Sequence, residues 1–140
     1  MRLTSFTDFG LRALMRMASD PDRGFSTAEL ADEFDLSRHH LAKIVQRLSQ
    51  AGIVVPRRGA GGGATLAKPA SEIRLGDIVR WLEEDQAIVD CFMPGGGTCT
   101  IKTCCRLKAR LRAAEAAFID RLNASTLADI ALPAPQTITG

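Results

Sequence analysis

The chain has 140 residues, 46% of them hydrophobic and 24% charged, with a formal net charge of +2. That is the length of one domain and enough to bury a core without disulfides. No apolar run approaches the ~20 residues that span a bilayer, and the N-terminus has no signal-peptide core, so no membrane partner is expected and a cytoplasmic location follows by default.

The first α-helix is expected from about Thr7 to Ser19, where Leu11, Leu14, Met15 and Ala18 recur at helical spacing. Ser5 with Asp8 reads as its capping box, and Asp20-Pro21 ends it. A short second helix fits Thr27 to Phe34 with Ser26 as cap. After the tight turn Asp35-Leu36, a third helix runs from Arg38 to about Gln50, capped by Ser37 and stopped by Ala51-Gly52. Its apolar stripe is Leu41, Ile44, Val45 and Leu48, and Arg38, His39, Lys43 and Arg47 lie off that stripe. Ile53-Val54-Val55 reads as a strand, Arg57 to Gly63 as a glycine-rich turn, and Ala64 to Ala67 as the returning strand.

Two helices, a turn, a basic helix and a hairpin make a winged helix-turn-helix. Charge supports this. From Leu36 to Ser71 there is no Asp or Glu, whereas Arg38, Lys43, Arg47, Arg57, Arg58 and Lys68 all fall there. Such a local basic field suits a polyanion. Ser37, Arg38, His39 and Lys43 are placed to meet DNA in the major groove, Arg47 to meet phosphate or only solvent, and Arg57 and Arg58 to enter the minor groove from the wing. His40 borders the apolar stripe, so packing competes with base contact there. The glycine run lacks the Gly-Lys-Ser/Thr ending of a phosphate loop, and no catalytic set can be assembled, so an enzyme is not expected.

Lys68 to Ser71 is a connector, and Ile73 to Glu84 reads as a further helix with Trp81 in core or interface. All four cysteines follow within Cys91-Phe-Met-Pro-Gly-Gly-Gly-Thr-Cys99-Thr-Ile-Lys-Thr-Cys104-Cys105. Thiols confined to one loop in a reducing compartment favour a soft metal centre over disulfides. The spacing does not match the paired thiolates of structural zinc. Three effective thiolates around a larger cluster fit better, because neighbouring cysteines rarely face one ion. A redox disulfide or free thiols is the alternative. A long helix from Arg106 to about Ala128 then carries Leu107, Leu111, Ala114, Phe118 and Leu122 as a seam between two copies of the chain, the alternative being an arm folded back on its own domain.

The expected fold is therefore mainly α, a winged helix-turn-helix with a small β-hairpin wing and a long C-terminal dimerisation helix. The expected divisions are a DNA-binding region at 1–72, a connecting helix at 73–90, a cluster loop at 91–105, a dimerisation helix at 106–130 and a disordered tail at 131–140.

The sequence resembles the winged-helix regulators that include the nitric-oxide-sensing repressor NsrR and the cluster-assembly regulator IscR, and within them it is most like NsrR. The likeness covers nearly the whole chain. It is carried by Met1 to Leu14, Ser37-Arg-His-His-Leu-Ala-Lys-Ile44, Arg58-Gly-Ala-Gly-Gly-Gly63, Lys68-Pro-Ala-Ser71 and Cys105-Arg-Leu-Lys108. It implies a homodimeric repressor of a palindromic double-stranded DNA operator. It implies an iron–sulfur cluster, 4Fe–4S ahead of 2Fe–2S, whose loss or nitrosylation by nitric oxide releases DNA. Position by position, the implied ligands are Cys91, Cys99 and Cys105, with Asp8 from the other subunit completing the site and Cys104 as the spare or alternative ligand. Lys108 stands where an IscR-like site has its histidine. The Cys91 to Cys99 gap is longer than the usual spacing, filled by Pro94 to Gly97. A thiol-based redox or iron-responsive regulator, with no role specific to nitric oxide, is the alternative reading.

Overall fold

The computed structural model describes residues 2–58 and 63–134. The expected wing tip at 59–62, and the tail beyond 134, lie outside the described residues. In chain order the elements are α1 (Ser5–Ser19), α2 (Thr27–Phe34), α3 (Arg38–Gln50), β1 (Val54–Arg57), β2 (Gly63–Leu66), α4 (Leu75–Leu82) and α5 (Leu107–Leu122). Short 3-10 turns cover Ala70–Glu72, Asp90–Phe92 and Leu127–Ile130. The fold is the mainly helical winged helix that the sequence predicts.

Serines set the starts of α2 and α3. The Oγ of Ser26 accepts the amide of Glu29 at 3.0 Å, and that of Ser37 accepts the amide of His40 at 3.1 Å, each occupying a donor that the first helical turn leaves free. Asp35 closes α2 with φ 53° and ψ 51°, the left-handed corner between the two helices. β1 and β2 pair antiparallel, with Val54 opposite Leu66 and Arg57 opposite Gly63. The hairpin is pinned to the loop after α1 near its turn end by two bonds between Phe25 and Ala64, at 2.9 and 2.8 Å.

The start of α1 differs from expectation. Its N-cap is Thr4, whose hydroxyl accepts the Thr7 amide at 3.2 Å, and Ser5 is already helical. Asp8 takes no part in a capping box; it pairs with Arg12 one turn on at 2.9 Å. α4 starts at Leu75 rather than Ile73, because the chain is extended there and bonds to the segment after α5. The Leu127 amide donates to the Ile73 carbonyl oxygen at 2.8 Å, and Arg74 forms an isolated bridge with Thr126.

One core runs through the fold. Leu14, Leu30, Leu41, Ile44, Leu48, Ile78 and Leu127 are all fully buried in it. Each such side chain contributes roughly 1.5–3 kcal/mol by leaving water. Ile78 and Leu127 belong to the same cluster as the helix-turn-helix residues, so one core spans segments on both sides of residue 72. α5 packs on α4 through its C-terminal half, where Gly76 lies so close that a Cβ would sit 2.4 Å from the Ile119 carbonyl oxygen. Asn123 then substitutes for a local cap. Its Oδ1 accepts the Asp77 amide at 3.0 Å, and its Nδ2 donates to Asp77 Oδ1 at 3.1 Å. One face of α5 stands clear: Leu107 is 60% exposed, and Ala113, Ala114, Ala116 and Ala117 are exposed, whereas Leu111, Phe118 and Leu122 of the expected seam are half-buried.

Candidate DNA interface and cysteine loop

α3 buries Leu41, Ile44 and Leu48 and turns the opposite face outward. Arg38, His39 and Lys43 are exposed on it, and Ser37 is exposed at its head while its hydroxyl serves as the cap. Two further exposed residues, Ala42 and Gln46, share that face. They stand three residues after His39 and after Lys43. The charge pattern overlooks them because neither is charged, yet a glutamine there has the donor–acceptor pair that matches adenine. His40 turns the other way. Its ring lies 6.3 Å from each of the Phe6 and Phe9 rings of α1, so it packs.

Arg47 behaves unlike its neighbours. Its side chain is only 24% exposed and is committed within the chain, its Nη2 lying 3.1 Å from Glu84 Oε2 and 3.4 Å from Asp85 Oδ2. The expected phosphate contact is thus a side chain already holding two carboxylates. On the wing, Arg57 and Arg58 are both exposed, and Arg57 Nη1 donates to the carbonyl oxygen of Asp22. Arg58 is the last described residue before the tip.

The cysteine loop joins α4 to α5. All four thiols are free; those of Cys91, Cys99 and Cys105 are half-buried and that of Cys104 is exposed. Cys91 sits in the 3-10 turn Asp90–Phe92, and the Arg112 guanidinium of α5 lies 4.1 Å from the Phe92 ring. That contact holds the first cysteine against the helix that follows the last one. Gly95, Gly96 and Gly97 all have positive φ, between 59° and 91°, so the inserted stretch is a left-handed turn that only glycine forms readily. The Cys104 thiol donates to the Ile101 carbonyl oxygen at 3.5 Å.

The donor chemistry suits a soft cluster: four thiols in one loop, with exposed Lys102 and Arg106 beside them to offset thiolate charge. Among the described residues, however, no three His, Cys, Asp or Glu side chains stand close enough to hold one metal ion. Asp8 lies on α1 and is bound to Arg12. Ligation therefore asks the loop to draw its thiols together and asks an Asp8 to change partner.

A model of the Rrf2 family, described as iron-dependent transcriptional regulator, matches residues 3–132. Among solved structures, CymR of B. subtilis, described as a global cysteine regulator, is 27% identical with a TM-score of 0.72, over 94% of this chain and 96% of that one. The oxidized form of Staphylococcus aureus CymR is 30% identical with a TM-score of 0.68, over 97% of this chain and 100% of that one. IscR of T. potens, 24% identical with a TM-score of 0.71 over 93% and 85%, matches in fold.

Proposed function

The chain belongs to the Rrf2 family of transcriptional regulators, and from that premise we propose that it is a DNA-binding repressor whose cysteine loop is the sensory input. The observation that carries this reading is the division of chemistry along the chain. An open basic face lies on α3, and every thiol lies in the one loop between α4 and α5.

In this reading α3 enters the major groove, with Arg38, His39 and Lys43 at base edges and phosphates and Gln46 beside them. Arg58 extends from the wing toward the minor groove. The exposed Leu107 and the alanines of α5 form the seam of a homodimer, which sets two α3 helices about one turn of a palindromic operator apart.

Cys91, Cys99 and Cys105 would hold an iron–sulfur cluster, 4Fe–4S ahead of 2Fe–2S, with Asp8 of the partner subunit as the distant ligand. Bound there, the cluster would supply iron that nitric oxide attacks. The chain's own part is mechanical. Asp8 exchanges Arg12 for the shared site, which ties α1 of one subunit to the loop of the other; losing that tie lets the two α3 helices leave register.

A thiol reading has its own support. The four thiols are free and not gathered, and the exposed Cys104 is next to Cys105; S. aureus CymR, 30% identical, was solved in an oxidized form. Anaerobic purification separates the two. A coloured protein with stoichiometric iron and acid-labile sulfide, bleached by nitric oxide with loss of DNA binding, upholds the cluster. A colourless protein without sulfide, whose DNA affinity responds to peroxide, replaces it with thiol chemistry.

A further inference from the structure

The C-terminal end of α4 makes an unusual set of ties over the short stretch Trp81–Asp85. Trp81 Nε1 donates to the Arg47 carbonyl oxygen at 3.1 Å, and the Arg47 guanidinium lies 5.7 Å from the Trp81 ring. Arg47 Nη2 donates to Glu84 Oε2 at 3.1 Å and lies 3.4 Å from Asp85 Oδ2. Glu83 Oε1 accepts both the amide and the hydroxyl of Thr4, at 2.7 and 2.8 Å. The stretch thus holds α3 through Arg47 and the head of α1 through Thr4. It is also the stem of the cysteine loop, since Cys91 follows Asp85 by six residues.

We propose that the acidic stem Glu83–Asp85 is the element through which the cysteine loop sets the position of the reading helix, with Arg47 as the positioning residue at its far end. This rests on the reading of α3 as the DNA-contacting helix. The Arg47 side chain is only 24% exposed, its Nε is buried without a partner among the described residues, and its Nη2 is spent on the stem. One guanidinium nitrogen set between two carboxylates, with the guanidinium beside an indole that in turn bonds the Arg47 carbonyl oxygen, ties the stem to α3 at more points than a lone surface ion pair, which is worth little. Any change that pulls Cys91 toward Cys99 and Cys105 draws on Asp85 and Glu84 first. From the stem, the Arg47 contacts lead directly to the last turn of α3.

The stem variant Glu84→Gln/Asp85→Asn gives a test whose sign is informative. Removing two negative charges beside a basic surface would by itself strengthen binding to a polyanion. The proposal expects the reverse. With full-length protein and a duplex selected by the wild type from a random pool, Glu84→Gln/Asp85→Asn and Arg47→Gln each bind roughly tenfold more weakly, and the triple variant is no weaker than Arg47→Gln, as residues of one network behave. Arg47→Lys, which keeps the charge and loses the planar guanidinium beside the Trp81 ring, falls between. The salt slope stays at the wild-type value, whereas loss of a phosphate contact would lower it by about one. Far-UV circular dichroism on heating checks that each variant is folded. Tighter or unchanged binding by the stem variant overturns the proposal, as does a lowered slope for Arg47→Gln alone.

The coupling has a separate readout, because Trp81 is the only tryptophan. Alkylating the thiols with iodoacetamide shifts Trp81 emission in the wild type, and that shift is lost in Glu84→Gln/Asp85→Asn. No shift in the wild type, or an undiminished shift in the variant, overturns the proposal. If the wild type selects no duplex at all, the DNA-binding reading fails, and the emission experiment alone still decides the stem.

Discussion

Thr4 and Glu83, 79 residues apart, are joined twice: the amide and the hydroxyl of Thr4 both donate to one carboxylate oxygen of Glu83, at 2.7 and 2.8 Å. The hydroxyl is also the N-cap of α1, so a side chain beyond α4 fixes the rotamer that starts the first helix. Glu83→Ala removes the charged acceptor and leaves a part-buried amide unpaired. The expected cost is about 1–2 kcal/mol, the range for a hydrogen bond to a charged group with some solvent access. Urea unfolding at constant m-value measures it. Glu83→Gln, which keeps one acceptor oxygen, loses less than Glu83→Ala.

That same pair explains what the sequence left unread. The starts of α2 and α3 were legible because Ser26 and Ser37 cap within three residues, a local signal. The start of α1 was not, because Thr4 is held by a residue far along the chain and Ser5-Asp8 offers a plausible local substitute. α4 begins two residues late since Ile73 is drawn into extended pairing with Leu127. The helix expected to run from Arg106 to Ala128 stops at Leu122 for a related reason: the chain must turn at Asn123 to cap α4 and bury Leu127. On the site, composition found the basic face and the thiol loop. It could not find that Arg47 faces inward, because the acids that hold it lie outside the stretch that lacks them.

The reading face predicts distinct kinds of loss. Lys43→Ala lowers affinity for any duplex and reduces the salt slope by about one unit, as loss of one phosphate contact does. Arg38→Ala, at the head of the helix, costs about 1–3 kcal/mol on the selected duplex and relaxes base preference at one position per half-site. Gln46→Ala acts in the same way, with an unchanged salt slope since no charge is removed. Arg58→Ala weakens binding without lowering the unfolding midpoint, because the residue is exposed and outside the core. Fluorescence anisotropy titrations at several salt concentrations separate these cases. Equal slopes for Lys43→Ala and wild type would remove Lys43 from the phosphate contacts.

The four cysteines divide by exposure, and the two readings of the loop assign them different roles. If the loop holds a cluster, Cys91→Ser, Cys99→Ser and Cys105→Ser each lose iron and acid-labile sulfide, and Cys104→Ser keeps both. The exposed Cys104 thiol, turned to the Ile101 carbonyl oxygen, is the one with nothing to lose. Under thiol chemistry the order inverts: Cys104→Ser and Cys105→Ser abolish the response to peroxide, and no variant carries sulfide. Colorimetric iron and sulfide counts on anaerobically prepared protein, with DNA binding before and after each oxidant, distinguish the two patterns. Retention of full cluster content by Cys91→Ser overturns the ligand set.

Gly76 tests how closely the loop-bearing helices must meet. A Cβ at this position would lie 2.4 Å from the Ile119 carbonyl oxygen and 2.5 Å from Asn123 Oδ1. On propensity alone, Gly76→Ala would stabilise α4 by up to about 1 kcal/mol. The clash is with backbone, which cannot rotate away as a side-chain tip can, so α5 must shift and loosen the Asn123 cap on Asp77. Overpacking of this kind costs about 1–3 kcal/mol, and the contact term wins. The expected result is a net loss of stability in urea unfolding, larger for Gly76→Val. Because α5 also carries the exposed Leu107 of the proposed dimer seam, sedimentation of Gly76→Ala is expected to show a weaker dimer at equal concentration. A variant more stable than the wild type would mean that α4 and α5 tolerate a wider spacing, and the seam would then be set independently of this contact.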